Sequence, residues 1–115
     1  GEEDTRTLTS MNNLGQCLTL MGKAEEGLPY ILAANEQIEK VQPAGHWMIG
    51  SSRVFLAQCY GRLSRFEEAE QLALGAEELL RTKMGERHFR TLAARKVLAE
   101  IYELWGKPDK AAAWK

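Results

Sequence analysis

Three stretches of the chain carry one pattern: Leu14-Gly15-Gln16-Cys17-Leu18, Leu56-Ala57-Gln58-Cys59-Tyr60 and Leu98-Ala99-Glu100-Ile101-Tyr102. Successive copies begin 42 residues apart, and they align without a gap. The same register aligns Met21 with Leu63 and Trp105, Gly27 with Ala69 and Ala111, and His46 with His88. A fixed period of this length indicates a structural repeat. We therefore expect one domain over residues 1–115, built from units at about 5–46, 47–88 and 89–115.

Each unit is predicted to contain two helices joined by a short turn. Apolar residues recur at steps of three and four from Leu8 to Met21, which is typical of one buried helical stripe. Small residues, Gly22, Ser64 and Gly106, stand at the matching turns and suit the left-handed backbone that ends a helix. Gly1 is in register with Gly85 of the turn at 84–88, so we expect a turn over residues 1–5 too. The expected helices span about 5–21, 24–41, 47–63, 66–83, 89–105 and 108–115, and no segment shows strand alternation. The predicted fold class is all-α.

Composition and charge exclude several classes of protein. Hydrophobic residues make up 44% of the chain and charged residues 27%, and no apolar run has the length of a membrane span. We expect a cytoplasmic protein with no membrane partner. The formal net charge is -1, but residues 1–80 carry a net charge of -6 and residues 81–115 one of +5. Proteins that bind nucleic acid usually carry a strongly basic face, so we do not expect a nucleic-acid partner.

Small and large residues alternate in an order that resembles the tetratricopeptide repeat. The second unit has Leu56, Ala57, Tyr60, Ser64, Ala69 and Ala76, and the first repeats the order with Leu14, Gly15, Leu18, Gly22, Gly27 and Ala34. The resemblance implies a right-handed superhelical solenoid of antiparallel helix pairs, with about three repeats and the last one truncated. It also implies that the small residues lie where paired helices cross closely.

Two features of the sequence resemble particular members of this family. The usual repeat has 34 residues, and the 42-residue period is similar to that of kinesin light chains and many bacterial proteins. Residues 104–114 resemble the carboxy-terminal repeat of bacterial serine/threonine protein kinases. The resemblance implies that the chain is a fragment, or the carboxy-terminal part, of a longer protein. One departure concerns packing, because the large residue at Met11 is replaced by Arg53 and Arg95 in the later units.

The residues that could carry chemistry have simpler structural interpretations. Cys17 and Cys59 lie one unit apart, so a disulfide is not expected, and we predict that both are buried core residues. His46 and His88 stand at the turns between units, where a ring can bind helix-end groups. Ser51, Ser52 and Thr91 are interpreted as helix-start residues rather than nucleophiles. No catalytic residue, metal site or cofactor is predicted.

The resemblance implies that the first helix of each unit lines a concave, peptide-binding groove. By register, the groove residues are Thr9, Asn12, Gln16 and Thr19 in the first unit, Ser51, Val54, Gln58 and Arg62 in the second, and Lys96, Glu100 and Glu103 in the third. Most are polar, and Asn12 and Gln16 lie one helical turn apart, where they could pair with the backbone of an extended peptide. The alternative is that both are merely solvated.

Further residues suggest what the partner is. A basic set is a candidate contact for an acidic segment: Arg81, Lys83, Arg87, Arg90, Arg95 and Lys96. Three tryptophans, Trp47, Trp105 and Trp114, are interpreted as packing residues, and Trp114 is also a candidate for self-association. The preferred hypothesis is a non-catalytic module that binds a peptide or partner protein. The alternative is the regulatory or self-associating tail of a bacterial serine/threonine protein kinase, and an enzyme fragment is the weakest option.

Overall fold

The computed structural model describes the backbone of residues 2–115 and the side chains from Arg6 onward. Within these residues the secondary structure is helical. The helices are α1 (Glu2–Leu20), α2 (Ala24–Val41), α3 (Trp47–Arg62), α4 (Phe66–Met84), α5 (Phe89–Leu104) and α6 (Pro108–Ala113). They form three pairs, and the second helix of the first two pairs packs against the first helix of its own unit and of the next. The predicted all-α solenoid of three units, the last one short, is confirmed.

The turn inside each unit has the predicted backbone. Gly22, Ser64 and Gly106 have φ values of 82°, 63° and 76°. The next residue then donates its N–H to a carbonyl five residues back, at 2.8 Å for Lys23 and Leu18. This bond supplies a partner for a carbonyl that the helix end would otherwise leave unpaired. Because the same bonding recurs in all three units, the paired helices leave each turn in a similar direction.

The turns between units place a histidine at the start of the next first helix. His46 Nδ1 accepts a hydrogen bond from the Met48 N–H at 3.1 Å, and His88 Nδ1 accepts one from the Arg90 N–H at 3.1 Å. The predicted role of both histidines is confirmed. The prediction that Ser51 and Ser52 start a helix was wrong, because both lie in the second turn of α3.

Helix α1 begins earlier than the register suggests. The turns at 43–46 and 84–88 contain Gly45 and Gly85, and both have positive φ. Residues 2–5 contain neither Gly nor Pro, and the helix includes them from Glu2 onward. The prediction of a turn over residues 1–5 was therefore wrong for residues 2–5, because nothing in their sequence breaks a helix.

Paired helices approach most closely at the small residues. A Cβ atom added at Gly27 would lie 2.5 Å from the carbonyl oxygen of Gly15, and Ala34 is fully buried. The second unit has Ala57 and Ala69 at the two glycine positions, and both are fully buried. The expected close crossing is confirmed.

The two cysteines have different environments although they share a register position. Cys59 is buried, and its Sγ lies 3.3 Å from the Ala24 carbonyl oxygen in the preceding unit. Burial raises the pKa of the Cys59 thiol. Cys17 is exposed, so the prediction that it is a core residue was wrong. Its face of α1 has no preceding unit among the described residues. Neither thiol forms a disulfide.

The two arginines that replace Met11 pack against the second helix of the preceding unit. Arg53 pairs with Glu39 of α2 at 2.7 Å. Arg95 lies 3.7 Å from Glu77 of α4, a buried carboxylate. Packing at this position therefore differs between units, as expected.

Candidate functional site

A stripe of side chains along the first helices forms one continuous surface, which we call the groove. Its residues are Thr9, Asn13 and Gln16 of α1, Ser51, Phe55, Gln58 and Arg62 of α3, and Arg90, Ala93 and Glu100 of α5. In α1 and α3 they recur at steps of three and four, so each of these helices presents one face, and Ala93 and Glu100 of α5 lie two turns apart on the equivalent face. Contacts across the groove join residues of neighbouring units, as described below.

Two adjoining clefts form the half of the groove that is nearest the amino-terminal ends of α3 and α5. The first, of about 160 Å³, lies between α1 and α3 and reaches the start of α5. The second, of about 140 Å³, lies between α3 and α5. Ser51, Phe55 and Arg90 line both clefts. Together the two clefts place the apolar ring of Phe55 beside the cationic side chain of Arg90.

Arg90 is held in place by several contacts. Its guanidinium donates to the Ser51 hydroxyl at 2.9 Å. The guanidinium carbon lies 4.4 Å from the Trp47 ring centroid and 5.0 Å from the Phe89 ring centroid. Cation–π contacts of this kind reduce the freedom of the side chain, so the positive charge has a defined position in the groove.

The half of the groove nearest the carboxy-terminal ends of α1, α3 and α5 contains a polar network that joins all three units. Glu100 accepts a hydrogen bond from Gln58 at 3.2 Å and an ion pair from Arg62 at 2.8 Å. Arg62 also donates to the carbonyl oxygen of Thr19 at 3.4 Å. These side chains are only partly exposed. Their charges are paired, so this half is less open to a charged ligand than the half around Arg90.

Comparison with known proteins gives the family. The model of the tetratricopeptide repeat matches residues 6–81 and again residues 48–115, which together span nearly the whole chain. The chain belongs to the tetratricopeptide repeat family. Such repeats generally mediate protein–protein interactions and are typically non-catalytic. A search of curated proteins finds no significant match to this sequence.

Six of the predicted binding residues lie in the groove of these tetratricopeptide repeats: Thr9, Gln16, Ser51, Gln58, Arg62 and Glu100. Asn12 forms part of the first cleft although its side chain is nearly buried. Its Nδ2 lies 3.5 Å from the Ser52 hydroxyl, and Oδ1 has no hydrogen-bond partner among the described residues. A buried acceptor without a partner is costly, and Asn12 Oδ1 would have to become accessible before a ligand could donate to it.

Two predicted groove residues are core residues instead. Thr19 is buried, and its hydroxyl donates to the Gly15 carbonyl oxygen within α1 at 2.8 Å. Val54 is buried and contributes only to the wall of the second cleft. Their prediction as exposed groove residues was wrong, because this side of each first helix faces the next unit.

Lys96 and Glu103 lie in another cleft, at the carboxy-terminal end of the tetratricopeptide array, which meets the groove at Glu100. This cleft, of about 560 Å³, also includes Leu92, Trp114 and Lys115. Glu103 pairs with Lys115 at 2.5 Å. The structure therefore does not bring Lys96 and Glu103 together with the groove residues around Ser51.

The residues of the predicted basic set lie in different environments. Arg81 pairs with the buried Glu77 at 2.8 Å, and Arg95 approaches the same carboxylate. The hydrogen bond to the Glu77 carboxylate, together with its negative charge, raises the pKa of Arg81. Arg90 faces the groove, and Lys96 lies in the carboxy-terminal cleft. The set therefore does not form one continuous basic surface.

Sequence reasoning missed Asn13, Phe55 and Ala93 as groove residues, and it named Arg90 only as part of the basic set. A helical face that contains Thr9 and Gln16 continues through Asn13, at steps of four and three residues. The same rule selects Phe55 between Ser51 and Gln58. Arg90 lies outside the stripe in sequence, and only its contact with Ser51 reveals its place.

None of the helices in residues 2–115 combines the length and hydropathy that crossing a bilayer requires. From Arg6 onward, where side chains are described, no cluster of three or more His, Cys, Asp or Glu is arranged to bind a metal ion.

Proposed function

We propose that the chain is a non-catalytic module that binds an extended peptide segment of a partner protein along the groove. The observation that supports this most is the pair of adjoining clefts that share Ser51, Phe55 and Arg90. Together they extend from α1 across α3 to the start of α5, and they place Phe55 beside fixed polar groups. An extended segment can contact all three of these helices at once.

The chemistry of the groove suggests what the segment contains. Arg90 is already held by Ser51 and Trp47, so binding an acidic side chain or carboxylate would cost the Arg90 side chain little additional conformational entropy. Phe55 would contact an apolar side chain. Asn12 Oδ1 would accept a peptide N–H, and Asn13 adds an exposed amide beside it. The proposed partner segment therefore alternates acidic and apolar residues.

The groove is less suited to catalysis. The Ser51 hydroxyl accepts a hydrogen bond from Arg90, which gives it no base to remove its proton. Glu100 lines the carboxy-terminal cleft, but its carboxylate is already paired with Arg62 and Gln58. Among the described residues, these contacts favour binding without a chemical step.

A peptide selection tests this function. Peptides selected on the protein from a random phage-displayed library should lose affinity by about tenfold or more when Arg90→Ala is introduced, since a hydrogen bond to a charged group contributes about 1.5–3 kcal/mol. Binding is measured by fluorescence anisotropy of labelled peptides, and circular dichroism checks that the variant stays folded.

The matched control for this experiment is Arg65→Ala. Arg65 also lies over an aromatic ring, 4.1 Å from the Tyr60 centroid, and pairs with Glu68 outside the groove. Its removal should leave the affinity unchanged. Selected peptides that bind Arg90→Ala as well as the unchanged protein, or that lose equal affinity on both variants, would contradict the groove as the binding site.

A second proposed function is regulatory: the chain forms the tail of a bacterial serine/threonine protein kinase in the cytoplasm and contacts its own catalytic domain or another tail. The similarity of residues 104–114 to such tails supports it, and so does the half-buried Trp114 beside the carboxy-terminal cleft. The sequence upstream of Gly1 in the full gene tests it, since a kinase domain must be encoded there. Size-exclusion chromatography over a range of concentrations tests self-association, and a strictly monomeric protein would remove that role from Trp114.

A further inference from the structure

Arg90 differs from the other arginines of α3 and α5 because it has no carboxylate partner. Arg53, Arg62 and Arg95 each approach a glutamate, at 2.7, 2.8 and 3.7 Å. The Arg90 guanidinium instead donates from Nη1 to the Ser51 hydroxyl, and its Nε and Nη2 atoms have no acceptor among the described residues. The charge of Arg90 is therefore unpaired, although its position is fixed by the contacts described above.

The two clefts that meet at Arg90 are free of acidic side chains. From Arg6 onward, no Asp or Glu lines either of them. Glu100, the acidic residue of the groove, belongs to its other half and is paired with Arg62 at 2.8 Å. A bound anion would therefore meet the positive charge of Arg90 without a described carboxylate in the same cleft to repel it.

Three uncharged donors line the first cleft together with Arg90: Thr9, Asn13 and Ser51. The Ser51 oxygen accepts the hydrogen bond from Arg90, so the proton of this hydroxyl is free to be donated. Thr9 and Asn13 are exposed, and their side chains form no hydrogen bond within the described residues. Asn12 and Ser52 also border the cleft, but both are buried and contact each other at 3.5 Å. The cleft thus offers more accessible donors than the guanidinium alone.

The number of these donors favours a phosphate group over a carboxylate. A carboxylate has two oxygens, and the fork of one guanidinium can bind both. A phosphorylated side chain has three accepting oxygens and carries a charge of about -1.5 to -2 at neutral pH. Arg90 alone would leave part of that charge and at least one oxygen without a partner. Ser51, Thr9 and Asn13 can supply the remaining hydrogen bonds.

We propose that the first cleft binds the phosphate group of a phosphorylated serine or threonine in the partner segment. Arg90 supplies the positive charge, and Ser51, Thr9 and Asn13 donate hydrogen bonds to the oxygens that Arg90 does not reach. This inference rests on the proposed function, because the segment has to lie along the groove. Phosphorylation of the partner therefore strengthens its binding.

Three degenerate peptide libraries test the proposal. They have the same random flanking residues and differ at one central position, which is phosphoserine, glutamate or serine. Fluorescence anisotropy should show that the phosphoserine library binds about tenfold more tightly than the glutamate library, because a phosphate accepts additional charged hydrogen bonds. Equal affinity for phosphoserine and glutamate would overturn this inference and leave the proposed function standing. No binding by any library would contradict both.

A first pair of variants separates the cleft from general attraction to a basic surface. Arg90→Ala should abolish the preference for phosphoserine over glutamate. Arg87→Ala, the matched control, removes the same charge from an exposed side chain that lines neither cleft, and it should leave the preference unchanged. A preference that survives Arg90→Ala, or that falls equally in both variants, would overturn the phosphate site.

A second pair of variants tests the uncharged donors. Thr9→Val combined with Asn13→Ala should reduce the preference for phosphoserine to about threefold or less, because the phosphate loses two hydrogen bonds that a carboxylate does not need. Circular dichroism checks the fold, and Thr82→Val, at an exposed threonine of α4, is the control that should retain the full preference. A tenfold preference that persists in the double variant would overturn the role of Thr9 and Asn13 and with it the distinction from a carboxylate.

Discussion

At the scale of single residues, the size of one side chain decides how closely a helix pair can pack. Gly15 and Gly27 allow α1 and α2 to approach until a Cβ atom would contact the opposite backbone. The second unit has alanine at both positions, and both side chains are fully buried. Two glycines of this chain therefore have opposite roles: Gly27 is required by contact, and Gly75 of α4 has nothing within 4 Å of its missing Cβ.

We expect Gly27→Ala to destabilise the protein by about 1–3 kcal/mol, because the new methyl group overlaps the Gly15 carbonyl oxygen. Gly75→Ala, the matched control, should stabilise it by about 0.5–1 kcal/mol, because alanine loses less backbone entropy in a helix interior. Urea unfolding followed by circular dichroism measures both. A neutral Gly27→Ala would mean that the first pair is not as closely packed as described.

Residue burial could be predicted from the sequence only where the neighbours come from the same unit. Gly27 and Ala34 were expected to lie at a helix crossing, and they do. Cys17 and Thr19 were placed wrongly, because their burial depends on whether another unit covers them. A register position carries no information about the ends of an array. The groove residue Arg90 was missed for a related reason, since its position depends on Ser51 in another unit.

At the scale of elements, the helix ends follow from local chemistry, and this is why most of their bounds could be predicted to within two residues. Gly22, Ser64 and Gly106 end the first helices through a left-handed residue. His46 and His88 begin α3 and α5 by accepting a backbone N–H. The start of α1 was placed wrongly by about three residues, because its sequence offers no comparable stop signal.

We expect His46→Ala to destabilise the protein by about 1 kcal/mol, because the Met48 N–H loses its acceptor at the start of α3. His46→Asn should retain most of the stability, since an asparagine carbonyl oxygen can accept the same hydrogen bond. Thermal or urea unfolding of the two variants measures the difference. If alanine and asparagine were equally destabilising, ring packing against Trp47 rather than capping would explain the role of His46.

At the scale of the whole molecule, stability depends on stacking, because each unit buries its apolar face against a neighbour. Leu56 lies at such an interface, and Leu14 lies at the equivalent but uncovered position. The second unit has a neighbour on each side and buries two faces. Among the described residues, the first unit is covered on one side only.

We expect Leu56→Ala to cost about 2–5 kcal/mol, since it leaves a cavity between the first and second units. Leu14→Ala should cost about 1 kcal/mol or less, because nearly half of that side chain is already in water. Chemical unfolding of both variants gives the two values. A similar cost for both would show that Leu14 is covered in solution, for example by a second copy.

Arg62 contacts Glu100 in the third unit and the Thr19 carbonyl oxygen in the first. One side chain therefore spans the inner edge of the whole array, and its ion pair lies at the partly exposed surface, where dissolved ions weaken it. We therefore expect rising ionic strength to loosen this link between the first and third units.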